Sequence, residues 1–175
     1  MSEFFGNYGA LILFLHVISA VIWIGGMIAV RVAVHPVVSR GGITAAQMLQ
    51  SDRVGDILTP RQRLGITLQI TGRLFNLVMP FILTLFITGL TMAIAMDGHH
   101  GAQKPLFLSK EIIWTVMTLN YGYMYYQRAK AWRFFESDEI KAAKAEVALI
   151  PNLLLPINIV LGIVALWMGV LLRGL

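Results

Sequence analysis

The sequence predicts an all-α integral membrane protein: a four-transmembrane-helix bundle with a short amphipathic cytoplasmic helix. Two features of composition point there. Hydrophobic residues make up 57% of the chain and charged residues 13%, against about 45–50% and about 25% in soluble domains; the mean hydropathy is +0.72. The third observation is local. Four stretches, 9–30, 74–96, 107–127 and 149–172, are long and apolar enough to span a bilayer, which takes about 20 residues each. Lipid offers no hydrogen-bond partners, so each segment must satisfy its own backbone as a helix.

The first helix is expected over 9–30. Residues 1–8 carry Glu3 and no Lys or Arg, the apolar run continues to Val30, and no small-residue cleavage site follows. It reads as a retained helix rather than a cleaved signal. Residues 31–63 form a polar loop with one short helix after Thr44, in which Ala45, Met48 and Leu49 are apolar and Asp52, Arg53 and Asp56 solvated. Thr59-Pro60 then opens a second long helix over 61–96, with proline in its first turn. That helix is longer than a membrane is thick, so it either projects from the bilayer or breaks near Gly72. The loop DGHHGAQKP leads to a third helix over 107–135. The stretch RAKAWRFFESDEIKAAKAEV, 128–147, carries mixed charge and reads as helical. The fourth helix covers 149–172. No repeat divides the chain, and 1–175 reads as one membrane domain.

Charge sets the expected orientation. Arg31, Arg40, Arg53, Arg61, Arg63 and Arg73 lie in and around the first loop, and Arg128, Lys130, Arg133, Lys141 and Lys144 in the third. The other side has only Lys104, Lys110 and Arg173. The positive-inside rule puts loops one and three in the cytoplasm and both termini in the periplasm of a bacterial inner membrane. The net charge of +5 needs no nucleic acid, since topology and anionic lipid explain it. The absence of cysteine excludes disulfides, thiolate ligands and iron–sulfur clusters.

Several polar residues fall inside the apolar segments. His16 lies in LHVISAVIWIGGM, about 10 Å below the outer surface at about 1.5 Å per residue. Ser19, Ala20, Trp23, Gly26 and Met27 share its helical face, a small-residue surface suited to face the bundle interior. Imidazole is both a metal ligand and a proton carrier, and an ionisable group in the membrane is a functional-site candidate; the ordinary reading is a neutral histidine bonded to a neighbouring helix. Lys110, in LFLSKEIIW, is expected in the same leaflet, about a turn higher. It either snorkels to the surface or partners His16, as a second axial ligand or as a cation for a carboxylate. Arg31, His35, Arg73 and Arg128 gather at the opposite boundary, with Tyr121, Tyr125 and Trp132 on one helical face. They read as anchors and an aromatic belt, or as a cationic pocket for an anionic planar ligand or a quinone head group. Asn76, Pro80, Thr84 and Thr88 step along the second helix, and Asn120 and Asn158 lie inside the third and fourth; these read mainly as interhelical hydrogen bonding. Met92, Met96, His99 and His100 combine soft sulfur with imidazole, an alternative copper site.

The stretch LHVISAVIWIGGMIAVRVAVHP resembles the first helix of the copper-resistance protein D superfamily, which includes the HemJ-type protoporphyrinogen IX oxidases. The shared pattern is His16, Trp23, Gly25-Gly26, Arg31 and His35. GRLFNLVMPFILTLFITGLTM, LSKEIIWTVMTLN and LPINIVLGIVALWMGV resemble the later family helices. The resemblance implies a four-helix bundle and, in the HemJ-type branch, a b-type haem and oxidation of protoporphyrinogen IX. By that likeness His16 would be an axial ligand and Lys110 would match an important lysine of the third helix. The chain departs from HemJ-type members in carrying Ala29-Val30-Arg31 in place of Leu-Pro-Arg, and in a longer first loop.

The leading expectation is therefore a haem b oxidoreductase, protoporphyrinogen-oxidase-like, passing electrons to a quinone. His16, Lys110 and Arg31 are its expected catalytic residues, and Trp23, Arg73 and Asn120 join them around the cofactor; Arg31, Arg73 or Lys110 would neutralise porphyrin propionates. A copper transport or resistance protein and a non-catalytic membrane partner are the alternatives, and a homo-oligomer is open. No strand-linked glycine fingerprint for a dinucleotide is present.

Overall fold

Thr59 starts the longest helix of the chain by the expected chemistry. Its hydroxyl accepts from Gln62 N (3.3 Å), and Gln62 Oε1 accepts from Thr59 N (2.9 Å). This capping box precedes Pro60 at the first helical position. The computed structural model describes residues 2–38, 58–100 and 103–172. Its helices are α1 (Ser2–Ala29), α2 (His35–Val38), α3 (Pro60–Ala95), α4 (Lys104–Glu136), α5 (Ile140–Leu149) and α6 (Leu155–Leu171), with no strand among the described residues. The short helix expected after Thr44 lies outside them.

Two π-helical turns, Val30–Val34 and Ile150–Leu154, join α1 to α2 and α5 to α6. Both have the same cause. His35 N–H donates to the Val30 carbonyl and Leu155 N–H to the Ile150 carbonyl, and a proline, Pro36 or Pro156, comes next. Proline has no N–H for the carbonyl four residues back and its ring crowds that position. The preceding turn widens instead of breaking. The two π turns approach one another around a cavity of about 20 Å³, lined among others by Val30, His35, Thr71 and Ile150. That volume suits roughly one water.

Three helical segments are long and apolar enough to cross a membrane: Gly6–Val34, Pro60–Ala95 and Ile140–Leu171. The expected third span, 107–127, falls within α4, which has the length but not the apolarity, because Ser109, Lys110, Glu111, Asn120 and four tyrosines dilute it. α3 runs unbroken through Gly72; its 36 residues reach about 54 Å, well beyond the about 30 Å of a hydrocarbon core.

The long helices pack in a closed square: α1 against α3 and α6, and α4 against the same two. α1 and α4 are diagonal, and Trp23 meets Tyr121 edge-to-face across the centre at 6.4 Å. Trp23, Phe75, Leu68 and Met124 are among the fully buried side chains. The α3–α4 seam follows a stripe on α4 at i+4 and i+3 steps: 114, 118, 121, 125, 128, 132, 135. Trp114 stacks on Phe86 (4.9 Å), Tyr121 OH donates to the Phe75 carbonyl (2.7 Å), Arg128 lies over Gly72, and Phe135 sits where a Gly65 Cβ would be 3.0 Å away. The α4–α6 seam is held by asparagines. Asn120 Nδ2 donates to the Leu154 carbonyl (2.9 Å) and to Asn158 Oδ1 (2.7 Å), and Asn158 Nδ2 donates to the Met117 carbonyl (3.2 Å).

α3 and α4 end alike. Gly98 N donates to Ala93 O and Asp97 N to Ile94 O; Glu139 N donates to Phe134 O and Asp138 N to Phe135 O. These are Schellman closures with a left-handed residue just past the helix. Aspartate takes that position in both, Asp97 at φ 50° and Asp138 at φ 62°.

Candidate functional site

The face of α1 that carries His16 does turn inward. Ser19, Ala20, Trp23 and Met27 are buried, and a Cβ on Gly26 would meet Leu74 at 2.8 Å. His16 itself is half-buried against α3. Its Nδ1 lies 2.9 Å from Thr88 Oγ1. The Thr88 hydroxyl donates to the Thr84 carbonyl at 2.6 Å. A hydroxyl has one proton, so toward His16 it must accept, and Nδ1 carries the hydrogen. The ring also makes a hydrogen bond to the Leu85 backbone; with the hydrogen on Nδ1, Nε2 keeps its lone pair. The imidazole also rests on Gly89, where a Cβ would sit 3.4 Å from Cε1.

Lys110 occupies the same end of the bundle, half-buried, from the diagonal helix. Its Nζ would be 3.3 Å from a Cβ on Gly169 of α6, and it is close enough to His16 for its charge to act on the imidazole. Glu111, beside it, accepts from His99 Nε2 at 2.8 Å, which ties the α3–α4 turn to α4. One imidazole, one ammonium, one orienting hydroxyl and two glycines thus share this end.

The other expected site residues lie elsewhere. Trp23 is seven residues further along α1, about 10 Å, and only 2% exposed. Its indole Nε1 is buried with no hydrogen-bond partner among the described residues. Asn120 is bound to α6 by the bonds described above. Arg31, fifteen residues from His16 along α1, stands about 22 Å away, and Arg73 is exposed on α3. Burial, and then the Arg31 charge, hold the His35 imidazole below its ordinary value. Of the copper alternative, His99 is held by Glu111 and His100 Nδ1 by Asp97 Oδ1 (2.6 Å); Met92 is half-buried and Met96 exposed. Among the described residues no group of three or more His, Cys, Asp or Glu side chains could hold a metal ion.

Thr88 was legible only as one step of an interhelical polar ladder, not as the partner of His16. Its signal was the Thr84–Thr88 spacing of four, which supplies the acceptor carbonyl. Gly169 read, with Gly162 and Ala165, as a small-residue packing face of the fourth helix rather than as part of a site, and Gly89 carried no signal of its own. Comparison with known families, curated proteins and solved structures finds no match to this chain.

Proposed function

We propose that the chain is a four-helix integral membrane protein that binds haem b and works as an oxidoreductase or electron carrier. Its relationship would be to the copper-resistance protein D superfamily and its HemJ-type branch. The observation that carries this reading is His16: an imidazole in an otherwise apolar helix, oriented by Thr88, with Nε2 left to ligate. Metal-binding histidines are oriented in this way, by a hydrogen bond on the nitrogen opposite the metal. The donor set therefore fits a haem iron. The bundle centre is close-packed around Trp23, Phe75 and Met124, so we place the group at the half-exposed His16 end.

In this reading α4 is the remaining span, with Tyr121 turned to α3 and Asn120 to α6. Loops one and three face the cytoplasm, both termini the periplasm, and the host membrane is a bacterial inner membrane. When bound, the haem would supply one-electron redox chemistry toward a porphyrinogen or a quinone. The chain's residues do the rest. Thr88 orients the imidazole, His16 would hold the iron through Nε2, and Lys110 would offer a second ligand or a cation for a propionate. Arg31 and Arg73 stand too far along the bundle to join His16, which assigns them to membrane anchoring instead.

An optical spectrum of the detergent-purified chain tests this. A Soret band that is lost in His16→Ala while helicity is retained supports it; a colourless, folded protein from haem-replete cells overturns it. Rescue of a porphyrinogen-oxidase-deficient strain separates the enzyme from an electron carrier.

A further inference from the structure

Arg128 stands one residue past the expected third span, 107–127, in α4, and its side chain crosses to α3. Nε donates to the Leu68 carbonyl at 3.1 Å. The guanidinium lies on Gly72, where any Cβ would fall onto it, and Cζ sits 5.0 Å over the Trp132 ring. A carbonyl, a glycine and an indole thus fix one half-buried cation on the α3–α4 seam. Among the described residues no acid completes it. The ion pairs among the described residues are Arg61–Asp138, His99–Glu111, His100–Asp97 and Lys130–Glu146, and Arg128 is in none of them. A guanidinium has five N–H donors. Nε is engaged, and the two terminal nitrogens have no partner among the described residues. Arg73, adjacent in sequence to Gly72, adds a second, exposed cation. On the next turn of α4, Tyr125 OH reaches Asn76 Oδ1 at 3.4 Å.

We propose that this slot binds the phosphate of an anionic phospholipid headgroup in the cytoplasmic leaflet. The planar fork of arginine matches phosphate with two parallel hydrogen bonds. The position suits a headgroup, at the inner end of the proposed third span and beside Trp132. Anionic lipid is also the abundant phosphate on that face of a membrane. The inference rests on the membrane placement proposed above, but not on haem.

Gly72 makes the slot testable without changing any charge. Gly72→Ala would evict the guanidinium, the mobile end of a long side chain, and alanine also favours helix. The full chain in neutral detergent is titrated with phosphatidylglycerol, with phosphatidylcholine and with inorganic phosphate, and bound lipid is counted by native mass spectrometry. The native chain is expected to prefer phosphatidylglycerol over phosphatidylcholine by roughly tenfold. That preference should collapse in both Gly72→Ala and Arg128→Gln, with inorganic phosphate unable to compete at millimolar concentration. A preference that survives Gly72→Ala belongs to the overall positive charge and overturns the slot. Competition by inorganic phosphate overturns the lipid assignment in favour of a soluble phosphate. After reconstitution, a chain that leaves the vesicles refutes the membrane placement; a chain that stays in them with no lipid preference refutes only the slot.

Discussion

Thr88 determines which nitrogen of His16 carries the proton. The hydroxyl gives its own hydrogen to Thr84 O at 2.6 Å and takes one from His16 Nδ1 at 2.9 Å. Thr88→Val keeps the shape and removes the acceptor. Loss of that bond is expected to cost about 1 kcal/mol, read as a lower unfolding midpoint in detergent. If His16 ligates haem, retention should fall about tenfold, read from Soret absorbance per protein. Thr88→Ser should restore both readouts; a valine variant indistinguishable from the native chain would deny the hydroxyl its orienting role.

Asp97 and Asp138 hold left-handed backbone angles at the ends of α3 and α4. A Cβ makes that conformation costly, and glycine relieves it. Asp97→Gly and Asp138→Gly are each expected to raise stability by about 0.5–1 kcal/mol. The exposed ion pairs they remove, to His100 and Arg61, are worth little. A drop in midpoint for either variant would show that the aspartate side chain matters more than the backbone angle.

The asparagine clasp between α4 and α6 should behave as a unit. Asn158 is fully buried, and Asn158→Leu leaves the Asn120 amide with the Leu154 carbonyl alone and takes a donor from the Met117 carbonyl. We expect about 1–2 kcal/mol of destabilisation. The double variant Asn120→Leu/Asn158→Leu should lose less than the two single losses combined, because neither amide is then left unpaired. Strictly additive losses would show that the two side chains do not depend on one another.

His35 predicts an acid sensitivity. Burial and Arg31 lower its folded value below the ordinary 6.5, so the unfolded chain takes up the proton first as pH falls. Stability present above about pH 6.5 is then lost on acidification through the folded value. The difference in unfolding midpoint between about pH 7.5 and about pH 5 should be smaller in His35→Gln than in the native chain. Equal differences in the two would assign the acid sensitivity to other groups.

Much of the architecture was readable from hydrophobicity, because an apolar run of such length has few other solutions. The start at Thr59-Pro60 was equally plain, since capping chemistry is local. Gly72 was ambiguous. A glycine inside a long helix suggests a break, and only the partner helix reveals that Arg128 lies across it. The inward face of His16 was legible from Ser19, Ala20 and Trp23. Its hydrogen-bond partner was not, since several hydroxyls line α3 and the register of α1 against α3 chooses among them. Asn120 was legible as a buried polar group, but Asn158 on a neighbouring helix determines its direction. Nothing local announced the π turns; Pro36 and Pro156 look like ordinary helix breakers until the backbone is traced.

Those two turns give the chain a reserve of contour length. Each holds about one residue more per turn than its α-helical neighbours, at Val30–Val34 and at Ile150–Leu154. A single-residue deletion inside either segment could be absorbed by tightening the coil, leaving the flanking helices in their present rotational phase. Elsewhere in these helices the same deletion would turn every later side chain by about 100° and scramble the seams. The π turns are therefore where this bundle can change length without changing its interior.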